Sequence, residues 1–354
     1  MINSIEINRF RGIEKLKLDD FDRINIITGK NNAGKSSILE AFFAFMDFTS
    51  PDMFNKINGF RGKNTIFYDT NIWEPLFLNM NTDDGYIIKI EKDGDNYELE
   101  TIKDNTFVPG NVSTVPAAIV SQFRTAAKEK YSLKYKMIDS DKNYTSGHYL
   151  VANEGILLVP DREWTEENKV PYQHTQYINT QIARTESVTD KVSKLELGGQ
   201  KRELIEILKI IDDEIEDLIT LTSSGYAQLY VKKQGSVLPI SYAGDGINKL
   251  LFIVLSIMCN SGAIILIDEI DAGFHYSMYE KLWKTISKTS KKYDCQIFAT
   301  THSYEAIVGA VDGMSDDKDD LAYYRIAKKN TNHTAYKYDY DELKAAVDAN
   351  MEVR

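Results

Sequence analysis

Cysteine and histidine are scarce in this chain. Of its 354 residues, two are cysteine (Cys259 and Cys295) and five are histidine. The two cysteines lie far apart with no Cys-x-x-Cys pair, which excludes a disulfide framework and a zinc site and suits a reducing compartment. Long apolar runs are missing too. The longest, Leu250–Met258 (LLFIVLSIM), falls well short of the roughly 20 residues that span a bilayer. The opening MINSIEINRFRG has neither the apolar centre of a secretion signal nor an arginine-rich transit pattern. A cytoplasmic protein with no membrane partner is expected. Basic residues are outnumbered, 42 Lys+Arg against 53 Asp+Glu for a net charge of −11, so the surface as a whole does not attract nucleic acid, although a local basic groove stays open. Glutamine is absent from Met1 to Val120, and none of the seven prolines lies beyond Ser241. The 43% apolar and 11% aromatic content is that of a globular chain able to bury a large core.

What is present begins with Gly29–Ser37, GKNNAGKSS, directly after the apolar RINIIT. Gly29, Gly34, Lys35 and Ser36 satisfy G-x-x-x-x-G-K-[ST], whose meaning depends on lying between a strand and a helix. Glycines let bare backbone N–H groups wrap a phosphate where side chains would block the approach. The helix that follows turns its positive end to the anion. Lys35 would reach the β- and γ-phosphates and the Ser36 hydroxyl would hold Mg²⁺. INIIT before the loop and SSILEAFFAFM after it supply strand and helix character.

Along the rest of the chain, residues 2–7, 15–19 and 23–28 read as strands and Ser36–Met46 as a mostly buried helix. WEPLFLNM and DGYIIKIEKDGDNYELETI read as antiparallel strands with a turn at Asp93–Gly94. Residues 112–150 are polar and weakly periodic, with a helix expected around 115–130. Across Gly199–Thr220, Leu204, Leu208, Ile211, Ile215 and Leu218 make one stripe of an amphipathic helix, either a packed surface helix or the stub of an arm. From Ser241 on, buried strands (Ala263–Ile267, Cys295–Thr300) alternate with helices (Ile247–Met258, Tyr276–Ser290), the order of a largely parallel sheet. The acidic SDDKDD at Ser315–Asp320 is read as a solvated loop in preference to a metal site.

Three further stretches carry chemistry. AIILIDE ends a buried strand in Asp268, placed to bind the Mg²⁺ shell directly or through water, and Glu269, placed to polarise an attacking water. Such an ending also suits helix capping; beside a phosphate loop the catalytic reading prevails. More than 230 residues separate Lys35 from Asp268, a spacing that points to the ATP-binding-cassette class. That class needs a signature loop just upstream of the acids, and Ser241–Leu251 (SYAGDGINKLL) is in that place. Read alone, it is a glycine turn into a buried helix. QIFATTHSYEAI ends a strand at His302, read as a switch histidine for the γ-phosphate or the attacking water.

GKNNAGKSS, GDGI, IILIDEIDAGFH and FATTHS, in this order, resemble the ABC-type ATPases of the AAA15/OLD (overcoming lysogenization defect) group, relatives of RecF and of structural-maintenance-of-chromosomes heads. The resemblance implies an α/β ABC-type P-loop ATPase head. It would have an N-terminal mixed or antiparallel β lobe, a mainly parallel sheet flanked by helices, and a helical insertion. The expected division is a nucleotide-binding lobe 1–110, the insertion 111–225 and a second lobe 226–354. It further implies ATP and Mg²⁺ as ligands. Gly29, Asn31, Asn32, Ala33, Gly34, Lys35, Ser36 and Ser37 would hold phosphates and metal. Ser241, Gly244 and Gly246 would contact the nucleotide of a second copy, Asp268 and Glu269 would form the acid pair, Asp271–His275 would cross the dimer, and His302 would be the switch. OLD nucleases continue into a metal-binding nuclease domain, for which the 52 residues after His302 are too few. The implied function is an ATPase that dimerises, or forms a higher oligomer, around ATP and controls a separate effector such as a nuclease, in bacterial anti-phage defence. The alternatives are a nucleotide-gated scaffold with little turnover and a RecF-like repair ATPase binding DNA. For the last, Arg124, Lys128, Lys130, Lys134 and Lys136 are candidate contacts, if they are not an ordinary solvated face.

Overall fold

The computed structural model describes residues 1–62, 72–106, 132–152, 155–161, 173–179, 188–223 and 226–354. They fall into two units. The first comprises Met1–Phe21, Asn32–Gln173 and Ile326–Ala335; the second comprises Asp22–Asn31, His174–Arg325 and Tyr336–Arg354.

The first unit is built on alternation. In β1 (Ile2–Phe10) and β2 (Ile13–Leu18), Ile2, Ile5, Ile7, Ile13, Leu16 and Leu18 are buried while polar neighbours face out. These strands join β4 (Tyr86–Lys92), β5 (Asp95–Asp104), β6 (Ser132–Ile138), β7 (Tyr144–Ala152) and β8 (Gly155–Pro160) in one antiparallel sheet of order β2-β1-β4-β5-β6-β7-β8. Asp93 and Gly94, both at positive φ (54° and 89°), make the β4–β5 turn that their Asp-Gly sequence favours. Helices α1 (Lys35–Met46) and α2 (Met53–Phe60) belong to this unit. Its core holds Phe54 edge-on to Trp73 and Tyr149, with ring centroids at 5.8 and 4.9 Å.

The second unit carries the parallel strands. β3 (Ile24–Gly29), β14 (Gln296–Thr300), β13 (Ile264–Ile267) and β9 (Thr175–Ile178) lie side by side in that order, all parallel. Strand β15 (Leu321–Lys329) neighbours β3 and is followed by β16 (Asn332–Tyr338), and Ile326–Ala335 of this pair are counted with the first unit. A three-stranded sheet, β10 (Ile215–Ser223), β11 (Tyr226–Lys233) and β12 (Ser236–Pro239), is separate. The helices are α3 (Thr189–Leu197), α4 (Lys201–Lys209), α5 (Asp245–Met258), α6 (Tyr279–Lys292), α7 (Tyr304–Gly313) and α8 (Tyr340–Asp348). Strands β3, β13 and β14 are buried along their whole length, which explains their continuous apolar sequences. The architecture is the expected α/β one, an antiparallel lobe plus a mainly parallel sheet with helices.

The structure departs from the sequence reading in two places. WEPLFLNM forms two short 3₁₀ turns, Glu74–Leu76 and Leu78–Met80, because Pro75 has no N–H for a ladder and fits the first turn of a helix instead. The amphipathic helix of Gly199–Thr220 is real only over α4. Residues from Ile215 on are strand β10, so this segment is not an arm stub, and the described part of 111–225 holds more strand than helix. The cause is a β-bulge between Ile215 and Asp217, which turns both Ile215 and Leu218 inward. Two buried residues three apart then imitate helical spacing. The helix expected near 115–130 lies outside the described residues. SDDKDD is a loop with a 3₁₀ turn at Lys318–Asp320, its Asp316, Asp317 and Asp320 paired with Lys284 and Lys291.

Helix α7, which follows the His302 loop, lies tight against α6. A Cβ on Gly309 would sit 2.4 Å from Tyr279 Cβ, and one on Gly313 would sit 2.4 Å from the Glu280 carbonyl oxygen. Gly309→Ala is therefore expected to lower stability by about 1–3 kcal/mol through overpacking, despite a gain of about 1 kcal/mol in helix propensity. Urea unfolding tests this; an unchanged midpoint would mean that the two helices part freely.

Candidate functional site

The phosphate-loop sequence joins the end of β3 to the start of α1. Gly29, Lys30 and Asn31 belong to the second unit, and Asn32–Ser37 to the first. The loop needs conformations few residues adopt: φ is 145° at Gly29, 64° at Asn32 and 89° at Gly34. At Gly34 an added Cβ would meet Ile13 at 3.4 Å in a left-handed backbone. Helix α1 starts at Lys35 with no side-chain N-cap and no acidic residue in its first turn. An uncapped helix start with positive dipole character and a glycine before it fits an anion. Asn31 and Asn32 are exposed, Ala33 is buried, Lys35 and Ser36 are half-buried, and Ser37 is buried with Arg61 Nη2 at 3.4 Å from its Oγ.

In the second unit, the C-terminal ends of β3, β14 and β13 form one row. Gly29 ends β3, Thr301–His302 follow β14, and Asp268–Glu269 follow β13. The backbone ties the row together, because Thr301 N–H donates to Ile27 O at 3.2 Å and Ile270 N–H to Thr300 O at 2.9 Å. Ligands of open parallel sheets bind at this edge.

Hydroxyls fix the acids. Thr300 Oγ1 donates to Asp268 Oδ1 at 2.6 Å and accepts from Glu269 N–H at 2.9 Å; Tyr177 donates its OH to Asp268 Oδ2 at 3.0 Å. The carboxylate is thus oriented from both sides. Glu269 stands at φ 50°, a costly angle for a non-glycine residue, with its side chain exposed. Among the described residues no group of three or more His, Cys, Asp and Glu could hold a metal. Asp268 is nonetheless a single oriented carboxylate of the kind that Mg²⁺ takes as one ligand when phosphates and water complete its shell.

Behind the acids, the turn Ile270–Phe274 is braced. Asp271 is buried, accepts from Thr301 Oγ1 at 2.6 Å, and lies 3.7 Å from Nδ1 of the exposed His302. Ser303 caps α7 by accepting from Ala306 N–H at 3.1 Å, which fixes the far side of the histidine. The Lys249 ammonium, buried on α5, donates to the backbone oxygens of Glu269 and Ala272, the latter at 2.9 Å. Burial draws the Lys249 pKa down to about 8, against the upward pull of Asp271, Glu269 and Asp268.

Ser241 is exposed on the 3₁₀ turn Ile240–Tyr242, and the exposed Gly244 (φ 101°) precedes α5. A Cβ on Gly246 would lie 3.0 Å from Gly273 O, so the signature loop touches the turn after the acids. A cavity of about 290 Å³ runs along this seam, lined among others by Asp212, Asp213, Gly244, Gly273 and His275.

The second unit thus gathers Gly29, Asp268, Glu269 and His302 at neighbouring strand ends, with Ser241, Gly244 and Gly246 on the loop that touches the 270–274 turn. Lys35 and Ser36 stand in the first turn of α1 in the first unit. Sequence reasoning missed Tyr177, Thr300, Thr301 and Lys249. The Thr-Thr pair before His302 was a usable signal; Tyr177 offered none, being a lone tyrosine on a four-residue strand.

The profile of a family described as AAA ATPase domain (AAA_15) matches residues 1–307. The chain is 27% identical over 334 residues to an ATP/GTP phosphatase of Helicobacter pylori, covering 87% of this chain and 86% of that protein. It is 28% identical over 201 residues to the DNA replication and repair protein RecF of Shewanella halifaxensis, covering 53% and 52%. A crystal structure of the SmcHead bound to the C-winged helix domain of ScpA matches with a TM-score of 0.53 at 13% identity, covering 97% of this chain and 99% of that one, a likeness of fold. No helix among the described residues is long and apolar enough to cross a membrane. The chain belongs to the AAA_15 family of ATPase domains, of ABC type; it is similar in sequence to RecF over about half its length and shares its fold with a structural-maintenance-of-chromosomes head.

Proposed function

We propose that this protein is an ATP-hydrolysing head that dimerises around ATP and governs a separate effector, such as a nuclease, in bacterial anti-phage defence. The row of strand ends carrying Gly29, His302 and the acid pair is the observation that supports it most. In this reading the backbone of Gly29–Ser37 and the Lys35 ammonium bind the triphosphate. Ser36 and Asp268 hold Mg²⁺, which neutralises phosphate charge when bound. Glu269 takes the proton of the attacking water, and His302, oriented by Asp271, hydrogen-bonds the γ-phosphate or that water. Ser241, Gly244 and Gly246 complete the site on a second copy. The name of the Helicobacter pylori relative, an ATP/GTP phosphatase, supports turnover over a purely nucleotide-gated scaffold. The effector and the cytoplasmic setting are inferred by analogy with the family.

The deciding experiment is steady-state phosphate release with Mg²⁺ and ATP, with and without duplex DNA. Sustained release that is independent of DNA is expected. Tight ATP binding with negligible release in every condition would establish the scaffold instead. Release stimulated by DNA would favour the RecF-like reading; of its candidate contacts, Lys134 and Lys136 are on strand β6, and Arg124, Lys128 and Lys130 lie outside the described residues.

A further inference from the structure

Lys249 places an ammonium group where charge is ordinarily excluded. It is buried on the signature helix α5, one turn past Gly246, and a fully buried lysine is rare without a task that offsets its desolvation. Among the described residues its ammonium forms no side-chain ion pair. It donates to two backbone carbonyls, those of Glu269 and Ala272, at the two ends of one tight turn. That turn is closed by Ala272 N–H donating to Glu269 O at 2.9 Å, and it holds Glu269 at its left-handed φ. From the same turn Asp271 accepts a hydrogen bond from Thr301 and lies 3.7 Å from His302 Nδ1. The Phe274 ring lies 5.9 Å from the ammonium, and Asp268, Glu269 and Asp271 surround it with negative charge.

We propose that Lys249 is a positioning residue: it ties helix α5 to the turn Glu269–Ala272, so that one buried cation sets the Glu269 side chain and, through Asp271, the His302 ring. The inference rests on the proposed roles of Glu269 and His302. Its physical content is a rigid link. A carbonyl oxygen shared between the turn's own N–H and an ammonium cannot rotate freely, and a displacement of α5 of a few tenths of an ångström at its signature end is passed to the backbone that carries the base. The signature loop and the acid turn then respond as one body, which would make turnover sensitive to contact at Ser241, Gly244 and Gly246 without any movement of the sheet.

Lys249→Met keeps the stem and volume and removes the ammonium; Lys249→Arg restores a cation with several donors. In the full-length protein, Lys249→Met is expected to lower kcat for phosphate release at least ~10-fold, a loss on the scale of one positioning contact. Affinity for ATP, read with a fluorescent ATP analogue, should stay within about threefold, since no phosphate contact is removed. Lys249→Arg should recover most of the rate. Hydrogen exchange in the nucleotide-free protein gives a readout independent of turnover: amides 269–273 should exchange faster in Lys249→Met, with the β14 amides unchanged. Faster exchange confined to 269–273 would support the brace even if the wild-type chain released no phosphate, a result that would sink the ATPase reading alone. Unchanged kcat with unchanged exchange would overturn the proposal. So would joint loss of nucleotide binding, rate and β14 protection, which would make Lys249 a folding residue only.

Discussion

Glu269→Gln is expected to lower phosphate release at least ~10²-fold while leaving ATP binding intact, the range lost when a general base is removed. The substitution is nearly isosteric. What fixes position 269 is its backbone, through the N–H bond to Thr300 Oγ1 and the carbonyl bond from Lys249, and neither involves the carboxylate. Geometry therefore survives and only proton acceptance is lost. With hydrolysis stalled, the ATP-bound form should accumulate, and light scattering with Mg²⁺ and ATP should report a dimer that the wild type populates only transiently. A turnover rate equal to that of the wild type would remove Glu269 from the base role. A monomeric, ATP-bound Glu269→Gln protein would separate hydrolysis from dimerisation and refute the sandwich.

Lys35→Ala is expected to weaken ATP binding by about 10–150-fold, the loss of one or two charge-assisted hydrogen bonds worth roughly 1.5–3 kcal/mol. The change should not disturb the fold. Lys35 is the first residue of α1 and half-buried, alanine is the best helix former, and the left-handed Gly34 that shapes the loop is untouched. Isothermal titration with ATP and Mg²⁺ measures it. Affinity equal to that of the wild type would show that the loop binds no phosphate through this lysine, and the anion reading of Gly29–Ser37 would fail with it.

Much of the fold was legible because local physics and burial agree there. The fully buried β3, β13 and β14 appear as unbroken apolar runs, and the Asp93–Gly94 turn follows from what those two residues permit at positive φ. Reading failed where two signals coincide in sequence and diverge in space. Ile215 and Leu218 satisfy a helical period only because a bulge in β10 lets a strand bury residues three apart. Pro75 defeated an apolar run that otherwise looked like a strand.

The sequence by itself determined the chemical types available: a glycine-bounded lysine loop, an acid pair, a histidine after a strand and a glycine-rich helix start, in an order that marks the family. Order along a chain constrains which strand each group ends, because motif and element are covalently one. Only the tertiary structure decided which strand ends are neighbours and how each group is held: β14 between β3 and β13, Thr300 bridging Asp268 and Glu269, Tyr177 arriving from β9, and Lys249 arriving from α5. Those partners come from residues far apart in the chain. Their pairing is set by which surfaces the core buries together, a property that no local run of sequence carries.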